Sequence, residues 1–378
     1  MRKPSLCFAM TGAQGLCGGI ASANLNVLQA LIELAQDRAT PLTILSYLEA
    51  AGDRPDFVPP WVRFQACQGS KRHFVTCLLK AAARRPLLCV DHVTLALPVL
   101  PFAAAGILKT VILAHGSEAW KRVRRTSRWS LRYASLCLTN SQYTLDKMRR
   151  YLTACKAAAC PLGLPYTFGL NRQARATPAA SLAFEAADGK PRPVGKQYLL
   201  LVARMDEHEG EKGHRILIRA LRPLLAEFPH LQIVFPGPGN DRHAIEQFAR
   251  RQGVGSSVIM PGYVSMATLR ALYRHCYAFV MPSTQEGFGL AYLEAMNDAK
   301  PCVGCYDQGA EDIIVHGKTG FLLRDPDNLQ ELLDVLHRLL RHPELALRMG
   351  EAGFKRLQDH FTSQHYRQRL KGQIGRLL

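Results

Sequence analysis

The sequence predicts an α/β chain made of two Rossmann-like, doubly wound domains. Three observations predict it. Short apolar runs alternate with helix-period segments through the first 170 residues, the same alternation restarts after residue 197, and residues 171–197 between them mix Ala, Pro, Gly and polar groups with no apolar period. Parallel strands are buried on both faces and joined by crossover helices, so they read as brief continuous apolar runs. At 378 residues the chain is long enough for two such cores.

In the first domain, residues 1–170, the expected strands are Leu6–Met10, Leu42–Tyr47, Leu87–Val90, Thr110–Ala114 and Leu136–Thr139. Residues 171–197 read as a linker or surface excursion. The second domain, residues 198–353, offers Tyr198–Val202, Leu231–Phe235, Val258–Met260, Ala278–Met281 and Pro301–Gly304, each followed by a helical pattern. Strand-like Phe321–Leu323 then precedes a helical run from Leu329, and residues 354–378 are helical and basic. No repeat of about 20 to 50 residues is visible, which excludes solenoids and propellers. Two doubly wound domains usually hold ligand in a cleft between their strand ends.

Lys and Arg outnumber Asp and Glu by 48 to 30, a formal charge of +18. Residues 1–170 carry 21 basic and 8 acidic groups, and the remainder carries 27 and 22, so the halves stand at +13 and +5. Such a surface attracts anions: nucleic acid, phosphorylated metabolites or an acidic membrane. Hydrophobic residues at 48% and charged residues at 21% argue against disorder. Eleven cysteines without a repeating spacing, behind a start that lacks a signal-peptide run, read as a reducing, cytoplasmic protein. No stretch reaches the roughly 18 apolar residues of a spanning helix, so membrane contact would be peripheral.

The strongest local signal is Pro282-Ser283-Thr284-Gln285-Glu286-Gly287-Phe288-Gly289-Leu290, running into Ala291-Tyr292-Leu293-Glu294. It follows a buried strand and opens a helix. Gly287 and Gly289 permit close backbone approach, and the helix start offers unpaired N–H groups to a phosphate. Glu286 and Glu294 can accept hydrogen bonds from sugar hydroxyls, although a pair of solvated glutamates at a strand-to-helix junction fits the spacing equally well. Upstream stand Arg204 in Ala203-Arg204-Met205-Asp206 and Lys212 in Lys212-Gly213-His214. Two cations after a strand suit a diphosphate.

At this point the sequence resembles the retaining glycosyltransferases of family 4, over nearly the whole chain. The resemblance implies the GT-B fold, two Rossmann-like domains facing across a cleft, and a nucleotide-diphosphate sugar as cosubstrate with no other cofactor. It implies that Glu286 lies near the donor sugar, that Glu294 binds the nucleotide ribose, and that Arg204 and Lys212 hold the diphosphate. Phe288 and Leu290 belong to the same donor-binding loop. Gly237 and Gly239 would form the diphosphate-adjacent turn, and Gly262, Tyr263 and Val264 would sit at the base. In the acceptor-side domain His115 would contact the transferred sugar. There the Gly18-Gly19 turn would let backbone approach donor phosphate or acceptor, while His92, Asn140 and Ser141 match acceptor-side positions.

The form His115-Gly116-Ser117-Glu118-Ala119-Trp120, with Asp91-His92-Val93-Thr94-Leu95-Ala96 and the long interval from Arg204 to Lys212, looks like mannosyltransferases of bacterial polysaccharide and lipopolysaccharide assembly. These use GDP-mannose and lipid-diphosphate-linked acceptors; a UDP-sugar donor is the alternative. The chain departs from the family at Gln308-Gly309-Ala310-Glu311-Asp312, where a Gly-Gly-x-Pro-Glu turn is usual, so the roles of Glu311 and Asp312 stay open. Cys302 and Cys305 form a lone Cys-x-x-Cys, read as small buried thiols. Asp325-Pro326-Asp327 imitates a metal-gripping pair but reads as capping a helix start, and no metal is expected.

Transfer is expected to proceed with retention, the acceptor hydroxyl attacking from the face that the diphosphate leaves. On a helical wheel over Glu118–Tyr133, Trp120, Val123, Leu131 and Ala134 share one side, and Lys121, Arg125, Arg128 and Arg132 another, with Trp129 beside them. With Lys71, Arg72, Lys80, Arg84 and Arg85 in the same half, this predicts peripheral attachment to the anionic inner face of the plasma membrane. Against a nucleic-acid partner, no helix-turn-helix, zinc finger or aromatic-basic stacking strip is seen. An epimerase or a phosphorylase shares the two-domain architecture, but the phosphorylase reading lacks a pyridoxal-lysine motif.

Overall fold

β1 (Leu6–Met10) is buried at every residue, as an apolar run flanked by strands on both sides must be. It pairs in parallel with β2 (Leu42–Ser46) on one side, Phe8 opposite Ile44. β3 (Arg63–Ala66) lies beyond β2 at the sheet edge. On the other side β1 pairs with β4 (Leu87–Val90), Phe8 opposite Cys89, followed by β5 (Thr110–Ala114), β6 (Leu136–Thr139) and β7 (Ala157–Ala159). The seven-stranded parallel sheet therefore runs β3-β2-β1-β4-β5-β6-β7. The computed structural model describes residues 4–13, 18–50, 52–120, 124–165, 167–170, 182–207 and 212–378.

The helices of this unit are α1 (Gly19–Asp37), α2 (Lys71–Ala82), α3 (Leu100–Ala104), α4 (Ser117–Trp120), α5 (Arg125–Tyr133) and α6 (Gln142–Tyr151). A 3₁₀ turn covers Val93–Val99. The segment read as one amphipathic helix, Glu118–Tyr133, is therefore two, and Lys121 and Val123 lie outside the described residues. On α5 Leu131 is buried, as is Ala134 just after it, while Arg125, Arg128, Trp129, Arg132 and Tyr133 are exposed.

β8 (Ala183–Glu185) and β9 (Pro191–Pro193) make an antiparallel hairpin where the sequence offers no apolar period. Its turn is Asp188-Gly189, a hairpin signal at the dipeptide level. A second parallel sheet follows: β10 (Tyr198–Leu200), β11 (Gln232–Pro236), β12 (Val258–Gly262), β13 (Ala278–Val280), β14 (Cys302–Cys305) and β15 (Gly320–Leu323), in the order β12-β11-β10-β13-β14-β15. Its helices are α7 (His214–Glu227), α8 (Arg242–Arg251), α9 (Met266–His275), α10 (Leu290–Asn297), α11 (Ala310–Ile313), α12 (Leu329–Arg341) and α13 (Pro343–His360). Tyr198, Phe235, Tyr273, Phe279, Phe288 and Tyr292 are its largest fully buried side chains.

The chain divides into two units, residues 1–167 with 361–378, and residues 168–360. α14 (Ser363–Ile374) closes the first unit: Lys371 bridges Glu33 and Asp37 at 3.2 and 2.8 Å, and the Ser363 hydroxyl donates to Asn26 Oδ1 at 2.9 Å. In each unit the strand order reverses beside the first strand, between β1 and β4 and between β10 and β13. Open α/β sheets bind ligands outside the carboxyl ends of strands at such reversals.

Candidate active site

In the second unit that reversal falls where the loop after β10 meets the loop after β13. Arg204, exposed, lies in the first loop. Gly237 (φ 146°) and Gly239 (φ 157°) bring the loop after β11 against the carbonyls of Ala203 and Met205, so closely that a side chain at either would collide with backbone. The resemblance would place these glycines in a diphosphate-adjacent turn; in the structure they also pack against the loop that carries Arg204. Met205 N–H donates to Pro238 O at 2.9 Å in the same contact. The Gly262-Tyr263-Val264 turn ends β12, with Gly262 O accepting from Gly237 N–H at 2.8 Å and Tyr263 70% exposed.

Lys212 precedes α7, whose N-cap is Gly213, with neither a side-chain cap nor an acid in the first turn. α10 begins in the same way on Gly289, held left-handed at φ 96° with the Tyr292 ring packed where a Cβ would lie. By contrast α2, α6, α9, α12 and α14 are capped by Ser70, Ser141, Ser265, Asn328 and Thr362. A glycine start leaves the first N–H groups and the positive end of the helix dipole open to an anion. Lys212 Nζ bonds Glu286 Oε2 at 3.1 Å and Gln285 O at 3.3 Å, joining the cation to the first glutamate of the motif. Both side chains are largely sheltered, at 16% and 19% exposure. His214 is driven down to about 3 by burial, aided by Arg215 and Lys212, so it adds no charge here.

The loop Gln285–Gly289 is supported from behind by Gln308, whose Oε1 accepts from Glu286 N–H at 3.0 Å, and by Gly309 N–H donating to Glu286 O at 2.8 Å. Phe288 is buried beneath it, and Leu290 opens α10 beside Gly287 in the loop. Glu294, inside α10, accepts from the Tyr273 hydroxyl at 2.7 Å. Burial pushes its carboxyl up to about 7, with the Tyr273 hydrogen bond pulling the other way. The Tyr292 hydroxyl donates to Met281 O at 2.6 Å and ties α10 to the end of β13. Tyr273 lies in no motif, and although Gln308 and Tyr292 stand within segments noted in the sequence, their bonds to Glu286 and Met281 leave no sequence signal.

The first unit has its own reversal, at the ends of β1 and β4. Asp91 is wholly buried; its Oδ2 accepts from Thr11 N–H at 2.8 Å, Thr11 Oγ1 at 2.5 Å and Asn24 Nδ2 at 2.7 Å. Glu49, also buried, accepts from Ala13 N–H at 2.5 Å. Two carboxylates thus hold Thr11 and Ala13 just after β1, and α1 starts on Gly18 (φ 124°) with no side-chain cap. A charged residue ending an apolar strand was the available signal for Asp91. His115 follows β5; its N–H and that of Gly116 donate to Glu118 Oε1, and its carbonyl accepts from Asn140 Nδ2. Burial pushes the imidazole down against the pull of Glu118 and Asp91, keeping it neutral, and Nε2 has no partner among the described residues.

Ser141 and His92 have structural occupations. Ser141 is fully buried and caps α6, its hydroxyl accepting from Thr144 N–H at 2.9 Å. His92 Nδ1 accepts from Thr94 N–H at 3.3 Å at the head of the 3₁₀ turn. Compared with known proteins, the second unit matches one family model. Residues 184–356 match the model of glycosyl transferases group 1.

That match to group 1 glycosyltransferases covers just under half of the chain. An uncharacterized glycosyltransferase of Bacillus subtilis, YqgM, is 31% identical over 172 residues, 45% of this chain and 47% of its own length. The chain thus spans about half the length of this curated relative. A GDP-mannose-dependent alpha-(1-6)-phosphatidylinositol monomannoside mannosyltransferase of Mycolicibacterium smegmatis is 27% identical over 279 residues, 71% of this chain and 69% of that one. The solved structure of a sucrose-phosphate synthase from Thermosynechococcus elongatus superimposes with a TM-score of 0.76 at 20% identity, covering 100% and 99% of the two chains. The fold is GT-B, two parallel α/β sheets of seven and six strands.

The segments where the sequence departs from the motifs of the family it resembles have local hydrogen bonds of their own. Glu311 accepts from Asp307 N–H at 2.9 Å, closing its own turn, and the Asp312 carbonyl accepts from Arg356 Nη2 at 2.9 Å. Asp325 and Asp327 do not cap α12, contrary to the expectation from sequence. Asn328 does, accepting from Glu331 N–H at 3.1 Å, while Glu331 reaches back to Arg324 N–H at 2.9 Å. Asp325 instead accepts from Asp327 N–H at 2.9 Å, because Pro326 turns the chain before the helix begins. Cys302 and Cys305 are buried free thiols on β14.

Proposed function

We propose that the chain is a retaining glycosyltransferase that moves a hexose, mannose from GDP-mannose, to a glycan or lipid-diphosphate-linked acceptor in cell-surface polysaccharide synthesis. One observation carries the reading: α7 and α10 of a single sheet both start on an uncapped glycine, with Lys212 at the head of one bonded to Glu286 at the head of the other. A diphosphate satisfies both helix starts and the cations Lys212 and Arg204; carboxylates Glu286 and Glu294 then accept from hexose and ribose hydroxyls. The mycobacterial relative is GDP-mannose-dependent, which supports that donor.

In this mechanism the acceptor oxygen attacks C1 from the face the nucleoside diphosphate leaves, through an oxocarbenium-like state. A departing phosphate oxygen takes the acceptor proton, and no protein nucleophile is needed. Lys212, Arg204 and the helix-end amides neutralise the leaving group, a preorganised electrostatic contribution. Neutral His115 offers a ring nitrogen to a hydroxyl of the transferred sugar. The test is a panel of GDP-, UDP- and ADP-sugars, read by calorimetric binding and slow donor hydrolysis. GDP-mannose is expected to bind tightest and to be cleaved; preference for a UDP-sugar would overturn the donor, and no response to any sugar nucleotide would overturn the function.

The exposed Arg125, Arg128, Trp129, Arg132 and Tyr133 of α5, with Lys71, Arg72, Lys80, Arg84 and Arg85 on and after α2, support docking on an anionic membrane face at the cytoplasmic side. No helix among the described residues is long and apolar enough to cross a membrane. Each Lys or Arg near such a surface contributes about 1 kcal/mol. Flotation with anionic vesicles at low salt is expected to recover the protein and neutral vesicles are not; equal recovery would refute the electrostatic account.

A further inference from the structure

We infer that Cys67, His73 and Cys77 form a binding site for a thiophilic divalent cation of the zinc type, separate from the donor and acceptor residues. One ligand atom from each, two thiol sulfurs and a His73 ring nitrogen, lies within 4.8 Å of the others. Zn–S bonds of about 2.3 Å in tetrahedral geometry set sulfurs roughly 3.8 Å apart, so closing on an ion asks for a shift of only about 1 Å.

The sequence builds this convergence in two steps. Cys67 stands just after edge strand β3, and the turn behind it passes through two left-handed residues, Gln68 (φ 52°) and Gly69 (φ 72°). That reversal brings the strand end beside the head of α2, where Ser70 caps the helix by accepting from His73 N–H at 3.3 Å. His73 and Cys77, four residues apart on α2, then share one helix face. Gln65 lies beside the ring, its Nε2 3.4 Å from His73 Nε2; with the amide turned so that Oε1 faces the ring it would accept from Nε2–H while Nδ1 binds the ion.

Access and charge agree with this assignment. His73 is exposed, and Cys77 and Gln65 also line a cavity of about 360 Å³ between α2 and the starts of β1, β2 and β3, so water can complete the fourth position. On binding, both thiols give their protons to solvent and two thiolates neutralise the dication. The loaded centre is then neutral, and Arg63, Lys80 and Arg84 around the cavity do not oppose it. The ion would staple edge strand β3 to α2.

The full chain, stripped with a chelator under reducing conditions, is titrated with Co²⁺ and then Zn²⁺. A stoichiometric sulfur-to-cobalt charge-transfer band, bleached by Zn²⁺, is expected. Because His73 is exposed, His73→Ala leaves the core intact; it should weaken binding by about 100-fold or more, beyond what loss of an outer partner costs. Cys77→Ser should remove the band, and Cys302→Ala should leave it unchanged. Zinc should raise the melting temperature of the wild type and not that of His73→Ala. The assignment is overturned if no band forms, if it survives both His73→Ala and Cys77→Ser, or if Cys302→Ala abolishes it.

Discussion

Lys212→Ala is expected to lower turnover by about 10² to 10³, the usual cost of removing one preorganised group that meets charge developing in a transition state. The fold should persist, because Lys212 precedes α7 and, among the described residues, its side-chain hydrogen bonds go to the Gln285 carbonyl and Glu286. The Lys212–Glu286 pair at 3.1 Å keeps the ammonium beside two helices that start on glycine without a side-chain cap. A diphosphate arriving there meets charge already in position, so little reorganisation remains for the chemical step. Steady-state kinetics with the best donor, alongside a thermal melt, reads both quantities. Near-normal turnover of a folded Lys212→Ala variant would remove Lys212 from the mechanism.

Glu294 governs the second large effect, a dependence on pH. Its carboxyl is pushed from the usual 4.5 up to about 7 by burial. The folded state therefore binds this proton more firmly than the unfolded chain, and between pH 4.5 and 7 stability falls as pH rises, by an amount on the order of 3 kcal/mol at most. Glu294→Gln removes that slope, so the melting curves of variant and wild type should agree near pH 4.5 and diverge above pH 7 in favour of the variant. Donor binding should move oppositely, since only the ionised carboxylate accepts freely from ribose hydroxyls. Affinity should rise with pH through about 7 in the wild type and stay flat and weak in Glu294→Gln. Calorimetry on either side of that value tests it; equal affinity in both proteins would exclude Glu294 from the donor site.

Much of the fold is legible in the sequence. The buried strands announced themselves because a parallel sheet covered on both faces demands short apolar runs, as in Leu6–Met10 and Leu87–Val90. Edge strands β3 and β7 did not, since Arg63–Ala66 and Ala157–Ala159 lack that apolar density. Glu286 and Lys212 could be singled out because each sits beside a glycine near a helix start, and Glu294 because it follows in the same motif inside α10. Their supports were invisible for a physical reason: Gln308 reaches Glu286 across 22 residues, Tyr273 reaches Glu294 across 21, and Asp91 reaches Thr11 across 80. Linear sequence carries no trace of such pairings. The helical wheel over Glu118–Tyr133 sorted buried Leu131 and Ala134 from exposed Arg125, Arg128 and Arg132, but periodicity does not show that the segment holds two helices, α4 and α5.

The return of α14 to the first unit bears on biogenesis. Residues 168–360 are contiguous and can close on themselves as soon as they leave the ribosome, whereas the earlier-made sheet must wait for Phe361–Leu378. At about 5 to 20 residues per second, that interval lasts roughly 10 to 40 s, during which the α1 surface later covered by α14 stays bare to chaperones and to neighbouring nascent chains.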